Sequence, residues 1–234
     1  MSLKTLSPIL ATVVLLAGAT SAVAQQPAGN AGLSWQGTVE AAPATGGAVA
    51  GMFTADETAA IETVSAYFNT LTTLGARFTQ TDADGTTTRG RVFVARPGKF
   101  RFEYARPSLK VVISDGRFLA IQNSDLQTEE TYELNNTPFR MLLRDEVNLL
   151  RDAQVLQVEE LPNQISLVLR DKDPDAPAAI KVVLTTAPEP ALRGWITRDA
   201  QGLETKVELT DVAHGVQVED KLFEREKFFL NRIR

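Results

Sequence analysis

Residues 90–116 read GRVFVARPGKFRFEYARPSLKVVISDG. Phe100, Phe102 and Tyr104 fall on one side of an extended chain, with Arg101 and Glu103 on the other. Side chains alternate across a strand with period two, so this spacing predicts a strand with one apolar face. Leu109, Val111 and Ile113 repeat the pattern after Pro107, and Ser114-Asp115-Gly116 reads as a turn. Arg96 stands beside Pro97 in a run otherwise suited to burial. On the pattern alone it is either a surface arginine before a turn or a cation with a buried task.

The same period extends to both sides. Segments 77–81 and 88–95 flank Asp82-Ala83-Asp84-Gly85, a hairpin signal. Residues 118–122 and, more weakly, 128–134 continue the series. The second half repeats it in 155–160, 165–170, 180–185, 192–197 and 204–209. Short strands joined by turns, with no helix between them, imply antiparallel connections.

Two segments break the pattern. Thr54-Ala55-Asp56-Glu57 is a capping box, followed by Ile61, Val64, Phe68 and Leu71 at helical spacing. This predicts a leading helix, with Gly75 as its left-handed stop. Thr137-Pro138 reads as a second helix start, with Thr as N-cap and Pro at the first helical position. The helix it predicts, crowded with Phe139, Met141, Leu142 and Leu143, is too apolar to stand in water. Strands with one apolar face need cover for it, and a long series of them curls. The fold class expected is mainly β within α+β. It is a curved, unclosed antiparallel β-barrel of about ten or eleven strands, with a leading helix and short helices against its hollow side.

Ahead of this domain, residues 1–24 have one basic residue (Lys4), an apolar run over 9–19 and Ala22-Val23-Ala24. The run is shorter than the roughly 20 residues of a membrane span. It reads as a secretory signal peptide cut after Ala24. Residues 25–52 are rich in Ala, Gly, Pro and Gln, almost uncharged and aperiodic, which reads as a disordered linker. Residues 53–234 are expected to form one domain.

Composition narrows the function. The net charge is −5, and loss of Lys4 makes it −6, with no basic cluster, which disfavours nucleic acid and anionic membranes. There is no Cys and one His, His214, in a predicted turn. Most zinc sites and any Cys–His pair are thereby excluded, and no G-x-S-x-G elbow is present. Asp171, Asp173 and Asp175 are spaced like the start of a Ca²⁺ loop. Ala176 replaces the required turn glycine and Val182 the final carboxylate, so an acidic loop is the better reading. Glu129-Glu130 and Glu159-Glu160 diverge across strands and do not make acid–base dyads. Neither a phosphate-binding loop nor a dinucleotide fingerprint occurs. The expectation is a protein that is not an enzyme, with no cofactor and no metal.

An ordered set of short motifs over 74–144 carries a resemblance. It comprises Phe78-Thr79-Gln80, the Asp84-Gly85 turn, Gly90, then Arg96-Pro97-Gly98-Lys99-Phe100-Arg101-Phe102. Pro107, Val112-Ile113-Ser114-Asp115-Gly116, Asn136-Thr137-Pro138-Phe139 and Leu142-Leu143 complete it. In this order the chain resembles the LolA family of periplasmic outer-membrane lipoprotein carriers. The later strands fit that family by pattern alone.

The resemblance implies an open half β-barrel with a lid of short helices over an apolar cavity, working in the periplasm as a monomeric chaperone of lipoprotein transport. It implies acylated lipoproteins as cargo, an inner-membrane ATP-driven release complex as their source and an outer-membrane receptor as their destination. It implies neither bond-making nor nucleic-acid binding. By the same resemblance Arg96 is the lid latch, bonded to the lid helix, and Phe100 lies near the barrel mouth. The expected cavity residues are Phe93, Phe100, Phe102, Tyr104, Leu109, Val111, Ile113, Phe139, Met141, Leu142 and Trp195; each is equally consistent with ordinary core packing. Phe102 stands where the family commonly has Trp, and the ending from Leu222 to Arg234 lacks the family's Pro-Pro-Gly close. A final strand and a basic tail are expected there, with Phe228 and Phe229 packed.

Physical reasoning supports the resemblance independently. Each CH₂ removed from water contributes about 0.8 kcal/mol. Three acyl chains left in water cost on the order of 30 kcal/mol. A soluble escort must hide them, and a lid that closes when empty lets them go. The alternatives are a carrier of another lipid or glycolipid, or a lipid-sensing regulator on the same half-barrel. The regulator calls for a second domain, for which 234 residues are expected to leave no room.

Overall fold

The computed structural model describes residues 53–172, 178–199 and 201–225. The expected signal peptide and linker, and Phe228 and Phe229, lie outside these residues. Helix α1 (Ala55–Thr70) is followed by strands β1 (Thr73–Thr81), β2 (Thr87–Ala95), β3 (Lys99–Tyr104), β4 (Lys110–Asp115), β5 (Phe118–Asn123) and β6 (Thr128–Glu133). A 3-10 turn (Leu134–Asn136) and two one-turn helices, α2 (Arg140–Leu143) and α3 (Leu149–Asp152), come next. Strands β7 (Ala153–Leu161), β8 (Gln164–Asp171), β9 (Ala179–Thr185), β10 (Ala191–Arg198) and β11 (Glu204–His214) complete the sheet, and a 3-10 turn (Asp220–Phe223) follows.

All eleven strands belong to one antiparallel sheet, in the order β6-β5-β4-β3-β2-β1-β11-β10-β9-β8-β7. β6 and β7 are its two edges and do not pair, so the barrel stays open. The chain runs outward from β1 to one edge, crosses through α2 and α3, and returns from the other edge to β11, which closes beside β1.

The capping box forms as the sequence predicts. Glu57 N–H donates to Thr54 Oγ1 at 3.2 Å, and Thr54 N–H donates to Glu57 Oε2 at 2.8 Å. The stripe Ile61, Val64 and Phe68 is buried against the sheet. The helix does not run to Gly75. It ends at Thr70 with Leu71 extended, because the chain must straighten to enter β1, where Gly75 pairs with Phe93. The second helix also differs from expectation. Thr137 closes the preceding 3-10 turn by donating to Leu134 O (2.8 Å), and α2 begins only at Arg140.

Two glycines have steric reasons. A Cβ on Gly90 would lie 2.1 Å from Glu103 O and 2.7 Å from Phe78 Cε1, so the Phe78 ring can rest only on a bare backbone. Gly98 turns the chain after Arg96-Pro97 at φ +67°, where a side chain is strained, and a Cβ there would approach Gly116 Cα to 2.8 Å.

The inner face of the sheet carries the core. Across the first half one row runs Leu74, Val94, Phe100, Ser114, Leu119, and the next Ala76, Val92, Phe102, Val112, Ile121. Across the second half Leu167, Val182, Trp195 and Val207 are neighbours. Edge-to-face aromatic contacts join the halves: Phe102 meets Trp195 at 5.9 Å, and Trp195 meets Phe139 of the lid at 5.9 Å.

Candidate functional site: a lidded apolar interior

The inner rows, α1 and α2 enclose a hollow of about 40 Å³. Its lining is wholly apolar: Phe68 and Leu71 from α1, Leu74, Val94, Phe100 and Phe102 from β1–β3, Phe139, Leu142 and Leu143 from the lid, and Ile180, Val182, Leu192 and Trp195 from β9 and β10. A cavity of this size accepts little more than a water molecule, and one with no polar group gives water no reason to enter. Pockets that hold drug-sized ligands run to about 300–1,000 Å³. Phe139, Leu142 and Leu143 fill much of the space between the sheet and α1.

Of the residues the sequence pointed to, Phe100, Phe102, Phe139, Leu142 and Trp195 line this hollow together. The other six do not. Phe93, Val111 and Ile113 pair with Arg101, Glu103 and Arg101, so they occupy the outer face of the same strands. Leu109 precedes β4 and is 38% exposed. Tyr104 lies further along the inner face, against Phe78, with its hydroxyl donating to Gln80 Oε1 at 2.6 Å. Burial holds that phenol in its neutral form far above the usual tyrosine range. Met141 is buried in the core beside the hollow without lining it. The residues missed, among them Phe68, Ile180, Val182 and Leu192, were legible as apolar faces; only the topology shows that these faces meet.

Arg96 directly follows β2, two residues beyond Val94 of the hollow's lining. Its guanidinium donates to Leu71 O (3.4 Å), which caps α1, and to Arg144 O and Asp145 O (3.2 Å), which follow α2. These carbonyls at helix ends have no partner within their helices, and the planar fork can reach several at once. Burial presses the Arg96 guanidinium toward its neutral form, and the Asp145 charge opposes this. The main chain adds to the attachment: Gly98 N–H donates to Leu143 O (2.8 Å), and Arg96 N–H to Thr72 O (2.9 Å).

The lid is anchored behind α2 as well. Asn69 of α1 exchanges two hydrogen bonds with the Val147 backbone, both 2.8 Å, and Ser65 accepts from Leu149 N–H at 3.3 Å. Asp171 is not a loop residue: it ends β8, buried against Arg140. Asp173 and Asp175 lie outside the described residues. His214 ends β11, and its Nε2 is 2.9 Å from the Tyr67 hydroxyl, which also accepts from Leu192 N–H at 3.1 Å. On the outer face the 3-10 turn Asp220–Phe223 packs against β3 and β4 with Phe223 buried, so the expected final strand does not begin at Leu222; its continuation from residue 226 lies outside the described residues.

Fold and site together define an open antiparallel half-barrel whose apolar interior is shut by a lid tied to an arginine. The family model described as outer membrane lipoprotein carrier protein LolA matches residues 69–226, and the chain belongs to this family. An outer-membrane lipoprotein carrier protein of Pseudomonas paraeruginosa is 30% identical over 130 residues, covering 52% of this chain and 62% of its own. One from Chromohalobacter salexigens is 26% identical over 165 residues, 67% of this chain and 77% of its own. The alignment thus spans 62% of the length of the first of these relatives. The crystal structure of a LolA superfamily protein from Nitrosomonas europaea is 12% identical with a TM-score of 0.40, covering 70% of this chain and 97% of that one.

Proposed function

We propose that this chain is a periplasmic carrier that shelters the acyl chains of lipoproteins. A leader cut after Ala24 exports it, and residues 53–234 form the carrier domain. It takes its cargo from an ATP-driven release complex in the inner membrane and passes it to an outer-membrane receptor, making no bond and using no cofactor. The observation that carries this reading is the wholly apolar interior beneath a lid whose closing contact is Arg96.

The mechanism is a competition for one space. With the lid down, Phe139, Leu142 and Leu143 occupy the interior. Acyl chains enter only when these side chains swing out, and their own burial then replaces that of the lid. A hydrogen bond to a charged group contributes about 1.5–3 kcal/mol, so the Arg96 contacts keep the open state a minor one. Apparent cargo affinity falls by the fraction that is open, and that fraction sets the ease of release. Arg96 thus weakens binding so that delivery downhill to a receptor is possible.

The test uses a synthetic peptide triacylated on its N-terminal cysteine, with wild type and Arg96→Leu compared for binding and for transfer to acceptor membranes bearing the receptor. The variant is expected to stay folded, to bind about tenfold more tightly and to stop releasing. Transfer at the wild-type rate by Arg96→Leu would refute the latch. Recovery of free lipids, and no acylated peptide, with protein purified from periplasm would point to another lipid as cargo.

A further inference from the structure

Arg96 fastens only one end of the lid. At the other end Arg140, the first residue of α2, meets Asp171, the last of β8, through a two-pronged ion pair: Nε to Oδ2 at 2.5 Å and Nη2 to Oδ1 at 2.5 Å. The Asp171 side chain is 3% exposed. We infer that Arg140 and Asp171 form a second latch, which fastens the lid to the opposite wall of the half-barrel and sets, with Arg96, how readily cargo enters.

The topology gives the pair this meaning. Arg96 directly follows β2 and Asp171 ends β8, and β1, β11, β10 and β9 lie between those strands in the sheet. A one-turn helix bound to both spans the hollow like a bar across an opening. An ion pair within one element would brace that element, whereas this one joins the moving part to the fixed part. The end of β8 holds the next helix too: Lys172 Nζ donates to Leu150 O (3.5 Å) and to Arg151 O.

The two latches differ in chemistry. Arg96 binds neutral carbonyls, whose attraction changes little with ionic strength. Arg140 binds a buried carboxylate in the geometry where guanidinium pairs are strongest. Swinging α2 away exposes two unlike charges to solvent, and dissolved ions favour that separated state. Added salt therefore raises the open fraction mainly through Arg140–Asp171, with a smaller contribution from the Asp145 charge near Arg96.

This inference rests on the carrier reading, and its test separates the two. Binding of the triacylated peptide is measured at low and high salt for wild type, Arg140→Gln, Arg140→Lys and the exchange R140D/D171R. Hydrogen exchange at the amides of Leu142, Leu143 and Gly98 is followed in parallel without peptide. Arg140→Gln is expected to bind about three- to tenfold more tightly, to lose most of the salt dependence seen in wild type, and to exchange faster at those three amides with β9 unchanged. Arg140→Lys is expected to lie between, and the exchange to restore part of the protection. Wild-type affinity and wild-type lid exchange in Arg140→Gln would overturn the second latch. If that variant is unfolded, the same two readings in Arg140→Lys decide in its place. If wild type binds no acylated peptide, the carrier reading falls and the exchange data alone judge the latch.

Discussion

On the inner face of β2–β4, Val94, Phe100 and Phe102 border the hollow; on the outer face of the same strands, Phe93, Arg101 and Ile113 make a row that meets residues 216–225. Both faces carry apolar side chains, but the outer one is only half-buried, with a pocket of about 580 Å³ between Phe93, Arg101 and the end of the chain. They differ in their cover. The inner face is covered by the one-turn helix α2, held at discrete points by the Arg96 guanidinium and by Gly98 N–H to Leu143 O. The outer face is covered by the end of the chain, held by Arg101 Nη1 to Leu222 O (3.3 Å), by the Lys99–Asp220 ion pair (2.8 Å) and by buried Phe223. Burial alone does not mark a binding surface. The proposed carrier role asks for cover that can leave and return.

The largest break in this contrast comes from the strand that both faces share. Gly90→Val would push a Cβ into Glu103 O and the Phe78 ring at once, and the Glu103 carbonyl cannot retreat without parting β2 from β3. We expect a loss of about 4 kcal/mol or more, at the extreme end of single substitutions, read by urea denaturation. A variant with the wild-type midpoint would show that this part of the sheet is looser than its geometry states.

Next in size is a pair of aromatic deletions on opposite faces. Phe102→Ala removes a ring packed on Phe78, Phe100 and Trp195 and is expected to cost about 3–5 kcal/mol. It also enlarges the hollow and changes acyl-peptide affinity. Phe223→Ala removes a ring that is also buried but belongs to the outer cover. Its cost is capped by the local opening of residues 216–225, so about 2 kcal/mol is expected, with acyl-peptide affinity unchanged. Equal effects of the two on affinity would mean that the faces are coupled and that the contrast drawn here is false.

Much of this arrangement was legible in the sequence. The capping box, the period-two runs and the turn residues placed α1 and most strands within a few positions, because these signals are local. The antiparallel, unclosed sheet followed from strands without intervening helices. The site was half legible. Phe100, Phe102, Phe139, Leu142 and Trp195 were found because each lies on an apolar face. Phe93 and Ile113 were grouped with them for the same reason, although the pairing of both with Arg101 sets them outside. Parity within a strand is local information. Which parity faces the hollow is decided by register across neighbours and by what covers each side, and neither is written in one segment. Asp171 shows the same limit. Its meaning lies in Arg140, 31 positions away, and no spacing rule connects them.

The smallest expected effect lies on the outer face of the second half. There Glu159 accepts from Lys181 Nζ at 3.1 Å and from Ser166 Oγ at 2.9 Å. Lys181 is buried, whereas the Glu159 side chain is 39% exposed, so solvent screens much of the attraction. The Lys181 and Ser166 bonds hold the Glu159 carboxyl below the usual range, against a smaller opposing push from burial. A carboxyl whose folded value lies below its unfolded one contributes stability above the unfolded value, about pH 4.3. That contribution disappears as pH falls through the folded value. Glu159→Gln should therefore be slightly less stable than wild type near neutrality, with the gap closing as the solution is acidified below about pH 4. Urea midpoints over a pH series measure it. Acyl-peptide affinity should be the same in both proteins throughout, because this cluster faces away from the hollow. A gap that widened in acid would mean that the carboxylate is strained by its neighbours. A shift in affinity would mean that the outer face of β9 reports to the interior through the strand itself.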